Sequence, residues 1–406
     1  MKLRFSLQFV FAIAILLVCA GSAFAQANAQ LTGTVTDPSG AVVGKVPITL
    51  RDTGTNVTYT ATSNDSGFYT VPNLPPGTYE LKASYSGFAP YTQTGIVITV
   101  GESATVNVQL QLAREGEKVI VNTEVPVIEP TKTEISQVVG SQQVEDLPTS
   151  NRVFTDFALL TPGVTTSRTS LGTVFTEFEV TQISFGGMRS FSNEITVDGA
   201  DFVNSASGIQ RATPPQESVQ EFRVVNNSFG ADYGRAMGGI VNIVTKSGTN
   251  NFHGTAYEYF QNNATDARDL LQPAPLPNEL RQNQFGIAAG GPIQTDKTFF
   301  FVNYEGKRSA KSPDFAPDLV CFSGTLSSNC NASGGNLTLI DLAKQQMGLA
   351  PEGCSKSLAA CGTNLTPAQA FGYINGFQQT GDDDFGFLRI DRQLNANNRL
   401  AIRYNV

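Results

Sequence analysis

The sequence predicts a mainly β protein, with a small α/β domain in its middle and the first strands of an incomplete transmembrane β-barrel at its end. Three observations carry this prediction. Short alternating strands separated by turn sequences fill residues 31–112. A glycine-punctuated pair of strands follows at 219–246. After Phe252 the strands become long and two-faced, and the connections between them are alternately long and short.

Composition and charge exclude several classes of protein. The chain has 406 residues, 40% of them hydrophobic and 15% charged, which predicts two or three folded domains. Its net charge is −8, and no basic patch interleaved with aromatic residues is present, so we predict no nucleic-acid partner. The single histidine, His253, excludes paired-histidine zinc sites, and we predict no metal and no cofactor.

The sequence gives no support to an enzyme. It contains no G-x-S-x-G motif, and one histidine excludes the usual catalytic triad unless that histidine is His253. His253 begins a predicted strand of the barrel wall, which is a poor position for a general base. We therefore predict that the protein is not an enzyme.

The first 25 residues have the pattern of a cleaved export signal. Two basic residues precede an apolar run at 9–20, and an Ala-Phe-Ala sequence ends at Ala25, before Gln26. The run is shorter than the ~20 residues that span a bilayer. We predict a signal peptide at 1–25, cleaved between Ala25 and Gln26.

Residues 29–112 are predicted to form a β-sandwich. Seven strands are separated by turns such as DPSG, NDSG and NLPPG, with clean alternation at Val46, Ile48 and Leu50. GTVTDPSGAVVGKVPITL and TSNDSGFYTVPNLPPGTYELKASYSGF resemble the carboxypeptidase regulatory-like domain, a transthyretin-like sandwich with a carbohydrate-binding-like fold. That resemblance implies a stabilising or docking module without catalytic residues, and sugar binding is the alternative.

Residues 138–250 are predicted to form a compact α/β domain. An apolar helical face runs from Phe154 to Leu160, and short strands follow with a turn at Asp198-Gly199. Three segments, LPTSNRVFTDFALLTPGV, FGGMRSFSNEITVDGADF and SVQEFRVVNNSFGADYGRAMGGIVNIVTKSG, resemble the plug domain of TonB-dependent outer-membrane receptors. With the sandwich in front, the chain is similar to the Oar-like subgroup of that family.

The resemblance implies a set of plug-motif residues. One departure from the family pattern is that Arg189 is followed by serine rather than glycine. The set is Arg189, Asp198, Gly199, Tyr233, Gly234, Gly238 and Gly239. We expect the last three glycines to permit positive φ and close backbone approach inside a narrow enclosure. The alternative is that Arg189, Asp198 and Tyr233 are ordinary turn and core residues.

Residues 113–137 are predicted to be a linker that contains a short extended segment. Such a segment can add as a strand to the sheet edge of another protein. In this position the resemblance implies a TonB box, made of Glu117, Lys118, Val119, Ile120, Val121 and Asn122. An ordinary edge strand or linker is the alternative.

Residues 251–406 are predicted to begin an Oar-like β-barrel. Leu400, Ile402 and Tyr404 share one face, opposite Arg399 and Arg403, and the strands before them show the same alternation. The segment between the third and fourth strands falls outside the cell and carries Cys321, Cys330, Cys354 and Cys361. We predict disulfides between the first two and between the last two, although four cysteines allow three connectivities and a zinc site is the alternative.

Five strands cannot close a barrel in lipid, so we expect the chain to be the N-terminal fragment of a longer protein. The resemblance implies a TonB-dependent receptor in the cell outer membrane, which takes up an oligosaccharide, peptide or siderophore. Its implied partners are outer-membrane lipid, an extracellular ligand and a TonB-type inner-membrane protein that couples energy. The alternative is a secreted or cell-surface binding or adhesion protein that uses the sandwich.

Overall fold

The computed structural model describes residues 29–113, 119–122, 134–147, 149, 152, 154–166, 183–189, 192–203, 214–230, 234, 236–265, 280–311, 379–395 and 398–406. These residues form two compact units. The first comprises the described parts of Met1–Gly254, Ala288–Asn303 and Phe387–Asn405, and the second those of Thr255–Ile287, Tyr304–Gly386 and Val406. No helix among the described residues is long and apolar enough to cross a membrane.

The N-terminal part of the first unit is the predicted β-sandwich. Its strands are β1 (Ala29–Thr36), β2 (Pro47–Asp52), β3 (Thr58–Thr62), β4 (Phe68–Leu74), β5 (Gly77–Ala83), β6 (Tyr91–Ile98), β7 (Ser103–Thr105), β8 (Val108–Gln109) and β9 (Val119–Asn122). One sheet has the order β4-β1-β7, with β8 also paired to β1, and the other has the order β3-β2-β5-β6-β9. Alternate side chains such as Ile48 and Leu50 are fully buried in its core.

Two features of the sandwich differ from the prediction. The segment ATVNVQLQL at 104–112 has the alternation of one of the seven predicted strands, but the structure divides it into β7 and β8. The Asn107 side chain accepts hydrogen bonds from the amide and hydroxyl of Thr34 and so interrupts the ladder. The second difference is β9, which lies inside the predicted linker and pairs with β6. Part of the linker therefore belongs to the sandwich sheet.

The α/β domain follows. Its elements are β10 (Ile135–Val139), α1 (Ser141–Asp146), a 3₁₀ helix at Phe154–Leu160, β11 (Val164–Thr166), β12 (Ile183–Phe185), β13 (Glu194–Val197), β14 (Ala200–Asp201), a 3₁₀ turn at Gln216–Ser218, β15 (Val219–Asn227) and β16 (Ile240–Thr245). The main sheet has the order β10-β15-β16-β13-β14, and β11 pairs with β12. The predicted apolar helical face packs on this sheet, with the rings of Phe154 and Phe222 5.7 Å apart.

The remaining strands form a five-stranded sheet in chain order. They are β17 (His253–Asn262), β18 (Leu280–Gln294), β19 (Thr298–Lys311), β20 (Gln379–Asn395) and β21 (Asn398–Asn405). The sheet buries its polar side chains, such as Gln284 and Glu305, while Ile287 and Ile402 are each 57% exposed. This inversion confirms the predicted apolar-out, polar-in alternation of a barrel wall.

Candidate functional site

The predicted turn at Asp198-Gly199 sets the geometry of the main site. It joins β13 to β14 as a two-residue hairpin, with Val197 opposite Ala200. Both turn residues have positive φ, 47° for Asp198 and 80° for Gly199, which is the conformation that favours an Asp-Gly sequence in such a hairpin. The Asp198 amide donates to the carbonyl of Ile243 at 2.8 Å, so the turn is held against the end of β16.

Two arginines of the wall sheet lie opposite one another at this turn. In the antiparallel ladder of β20 and β21, Arg389 is paired with Arg403. Like charges directly opposite each other destabilise a strand pair. The Arg389 side chain is only 4% exposed, so water does little to reduce that repulsion.

The Asp198 carboxylate bridges the two arginines. It accepts from Arg389 Nη1 at 3.2 Å and from Arg403 Nη1 at 2.8 Å. It also accepts from the amide and hydroxyl of Thr245, at 2.9 and 2.7 Å, where β16 ends. Arg389 Nη1 donates in turn to the Thr245 carbonyl oxygen at 2.7 Å. The α/β domain therefore supplies both the anion and the backbone acceptor that the wall arginines need.

A second carboxylate completes the cluster. Asp391 accepts from Arg389 Nε at 2.8 Å, from Arg399 Nη2 at 2.8 Å and from the Ser247 hydroxyl at 2.9 Å. Three arginines and two aspartates thus carry a net charge of +1 among themselves (3 − 2 = 1). We call Asp198, Thr245, Ser247, Arg389, Asp391, Arg399 and Arg403 the ionic cluster. Its arrangement fastens one domain to another, and it presents no nucleophile activated by a base.

A cavity of about 300 Å³ adjoins the ionic cluster. Its lining includes turns of the sandwich, residues 246–249 between β16 and β17, and Arg389, Asp391 and Arg399. His253 also lines it, with Nδ1 3.0 Å from the Asn251 carbonyl oxygen and its ring stacked on Phe301. These contacts place the histidine in a structural role at the start of β17.

A second polar junction joins the sandwich to β15. Glu221 Oε1 accepts from the Val100 amide at 2.5 Å. Arg223, two residues further along β15, donates to the Val100 carbonyl at 3.1 Å, to Ser136 at 3.0 Å and to the Glu134 carboxylate at 2.6 Å. Arg223 thereby connects the sandwich, the end of the linker and β10 at one point, which we call the β15 junction.

The carboxyl of Glu221 makes the contact between the sandwich and β15 depend on pH. Its pKa is raised from the usual 4.5 to about 7, mainly by burial. The hydrogen bond from the Val100 amide lowers the pKa, the nearby Glu102 raises it and Arg223 lowers it, so the value of about 7 is the net result. A carboxyl whose pKa is higher in the docked state stabilises docking below pH 4.5, and this stabilisation is lost as the pH rises through about 7.

We therefore expect the sandwich to dock more weakly at pH 8 than at pH 5. The hydrogen-exchange protection factor of the Val100 amide should fall roughly tenfold or more over that range. In Glu221→Gln, which keeps the acceptor oxygen but does not titrate, the protection factor should stay level. An equal fall in the glutamine variant would contradict the assignment.

The structure brings only some residues of the predicted plug motif to the ionic cluster. Asp198 and Gly199 lie in the ionic cluster, but Arg189 is exposed and is not brought to Asp198. The expectation of positive φ at Gly234, Gly238 and Gly239 is wrong, because the three do not adopt it. The expected close approach is found at two of them: a Cβ on Gly239 would lie 2.3 Å from the Phe185 ring, and a Cβ on Gly238 would lie 2.4 Å from the Asn193 side chain. Gly234 faces open space, so close approach is not found there.

Other predicted site residues lie outside the described residues. These are Ala25 and Gln26, Glu117 and Lys118, Tyr233, and the cysteines Cys321, Cys330, Cys354 and Cys361. The rest of the predicted TonB box, Val119 to Asn122, is β9 at the edge of the sandwich sheet.

Sequence reasoning did not select the arginines of the ionic cluster or the charged pair of the β15 junction. A signal was present for both. Arg389 and Asp391 share the polar face of β20 and alternate with apolar residues of its other face. Glu221 and Arg223, at a spacing of two, flank the buried Phe222 in β15. Charged side chains inside buried strands require partners, so this spacing marks a junction.

Two family models match the chain. The model described as carboxypeptidase regulatory-like domain matches residues 30–111, and the model described as outer membrane beta barrel domain matches residues 244–406. Among curated proteins, the TonB-dependent transporter Oar of Myxococcus xanthus is 26% identical over 71% of this chain and 27% of its own length.

Two further comparisons concern one receptor. The probable TonB-dependent siderophore receptor PirA of Acinetobacter baumannii is 28% identical over 39% of this chain and 21% of its own length. The solved structure of the siderophore receptor PirA covers 67% of this chain and 31% of that chain, with 18% identity and a TM-score of 0.41. The chain spans about a quarter of the length of the curated relatives it matches.

Proposed function

Because the chain is a homologue of the TonB-dependent outer-membrane transporters, with a carboxypeptidase regulatory-like domain and an outer membrane β-barrel domain, we propose that it takes up a ligand across the outer membrane. Its place is the outer membrane. Uptake requires a passage that is closed at rest and opened by force from a TonB-type partner. The matched barrel domain favours this function over a secreted adhesion protein.

The observation that carries the proposal is the bridge made by Asp198. The wall ladder sets Arg389 opposite Arg403, and the carboxylate that accepts from both belongs to the α/β domain. A buried ion pair of this kind contributes little net stability but costs roughly 3–5 kcal/mol to break by removing one partner. Such a contact suits a plug that stays closed until work is done on it.

The path of force runs through an edge of the plug. Residues 117–122 act as the TonB box in this proposal, and the next described residue after them, Glu134, is bound to Arg223. β10 follows at once and is an edge strand, paired only on one side with β15 among the described strands. An edge strand next to the pulled segment detaches before the central strands do.

The ligand of the proposed transporter is an oligosaccharide, a peptide or a siderophore. The siderophore is supported by one similar protein, the probable TonB-dependent siderophore receptor PirA. The regulatory-like domain in front of the plug supports the other two classes. The cysteine pairs at 321/330 and 354/361 are proposed to brace an external loop as disulfides.

Deletion of residues 117–122 tests the coupling role. We expect uptake to be abolished while the protein still reaches the outer membrane, because the plug can no longer be pulled. Three labelled probes should be offered to cells, one each from the siderophores, the oligosaccharides and the peptides. A deletion of residues 125–130, which shortens the linker equally, should retain uptake of whichever probe the parent imports. Unchanged uptake after the first deletion would refute the coupling role.

A further inference from the structure

The sandwich holds the proposed TonB box as one of its own strands. β9 pairs in parallel with β6, with Tyr91 opposite Val119, Thr92 opposite Ile120, Gln93 opposite Val121 and Thr94 opposite Asn122. It is the last strand of the β3-β2-β5-β6-β9 sheet. The four residues that the partner would need as an extended segment are therefore already in a ladder.

The edge of β6 is suited to receive a strand. Tyr91, Thr92 and Gln93 are each only 6% exposed with β9 in place, so three consecutive residues are covered on both faces. Backbone amides and carbonyls at such a position need partners, because buried polar groups that lack hydrogen bonds are costly. β9 supplies those partners, and its removal leaves β6 as the open edge.

The ladder is also short enough to be reversible. It joins four residues on each strand, and parallel pairing is slightly weaker per residue than antiparallel pairing. A partner protein that adds its own strand to a segment uses the same kind of backbone hydrogen bonds. The β6 edge and a strand of the partner protein therefore use the same backbone groups of Val119–Asn122 and cannot bind this segment at the same time.

We propose that the sandwich masks the TonB box, by holding Val119–Asn122 on the β6 edge, and that a TonB-type partner engages this segment only after it detaches from β6. The proposal rests on the proposed function, since it assigns a regulation to the same segment. The sandwich then limits energy coupling, because it keeps the segment from the partner. Conditions that release β9 raise the affinity for the partner, and conditions that hold it lower that affinity.

A disulfide between β6 and β9 tests the masking directly. The variant Thr92→Cys/Ile120→Cys places two cysteines at paired positions, where the Cα spacing of a ladder suits a disulfide. Trypsin cleaves at Arg114 and Lys118 between them, so a bridged peptide seen by mass spectrometry reports the bond. Thr60→Cys/Ile120→Cys, with its first cysteine on β3 at the opposite edge of the sheet, is the matched control and should give no bridged peptide.

Binding is then measured with the full-length protein in outer-membrane vesicles and the purified periplasmic domain of the host's TonB-type protein. We expect the oxidised Thr92→Cys/Ile120→Cys protein to bind at least tenfold more weakly than the parent, and reductant to restore its affinity. Thr60→Cys/Ile120→Cys carries the same change at Ile120, so any effect of that change alone appears in both proteins, and the control should bind equally in its oxidised and reduced forms.

Three other outcomes overturn the masking. The first is the absence of a bridged peptide from the paired variant, or equal bridging in the control. The second is equal affinity of the oxidised and reduced forms, which leaves the coupling role of the segment intact. The third combines two results: the parent does not bind the partner domain, and deletion of residues 117–122 leaves uptake unchanged. This outcome refutes the proposed coupling role of the segment as well as the masking.

Discussion

Replacing Asp198 by asparagine is expected to weaken the contact between the α/β domain and the strands β20 and β21. Arg389 and Arg403 would keep a neutral oxygen as acceptor but lose the negative charge between them, and the net charge of the ionic cluster would rise from +1 to +2. Because Arg389 keeps its ion pair with Asp391, the cost is roughly 1–3 kcal/mol, the range for buried groups that lose a hydrogen-bond partner. Hydrogen exchange across β13, β14 and the end of β16 should become roughly ten- to a hundredfold faster.

A matched variant separates this effect from a simple change of charge. Glu145→Gln also removes one negative charge from an ion pair, but Glu145 is 50% exposed in its contact with Lys246, so exchange should hardly change. The double variant Asp198→Asn/Arg403→Met should recover part of the loss, because it removes one of the opposed charges. Exchange in Asp198→Asn that equals exchange in Glu145→Gln would show that Asp198 does not fasten the plug.

Replacing Arg223 by methionine is expected to undo the β15 junction. The arginine is 2% exposed and donates to the sandwich, to β10 and to Glu134, so its removal breaks three attachments and strands a carboxylate. A loss of roughly 3–5 kcal/mol is expected for the local stability of β10, because one partner of a buried pair is removed. Limited proteolysis between residues 113 and 134, and hydrogen exchange of β10, should both become much faster.

The control for this variant is Lys82→Met. Lys82 pairs with Glu80 on the sandwich but is 51% exposed, so its replacement should leave both measurements within error. Adding Glu134→Gln to Arg223→Met should restore part of the protection, since the stranded charge is then removed. If proteolysis of the linker stays as slow in Arg223→Met as in the parent, the junction does not hold the sandwich to the plug.

Local patterns in the sequence were sufficient to predict most of the fold. Alternation at Val46, Ile48 and Leu50 predicted the sandwich, and the opposition of Leu400 and Ile402 to Arg403 predicted the wall. The Asp198-Gly199 turn was also predictable, because few residues adopt positive φ twice in succession. In each case the decisive interactions lie within a few residues of one another along the chain.

The sites depend on pairings that no local pattern contains. The charge opposition of Arg389 and Arg403 follows from the register of β20 against β21, and its partner Asp198 is 191 residues away from Arg389. The place of β9 likewise depends on which sheet edge is open, which is a property of the folded sandwich. The sequence shows glycine at Gly234, Gly238 and Gly239. It does not show whether glycine is needed there for a positive φ or because a neighbouring side chain leaves no room for a Cβ.

The opposition of Arg389 and Arg403 also bears on how the protein is assembled. Arg389 also pairs with Asp391 of its own strand, but the anion that accepts from both arginines is Asp198, so we expect the ladder to be weaker when the α/β domain is not folded. We therefore expect the pairing of β20 with β21 to depend on a folded α/β domain, although the two lie far apart in the sequence.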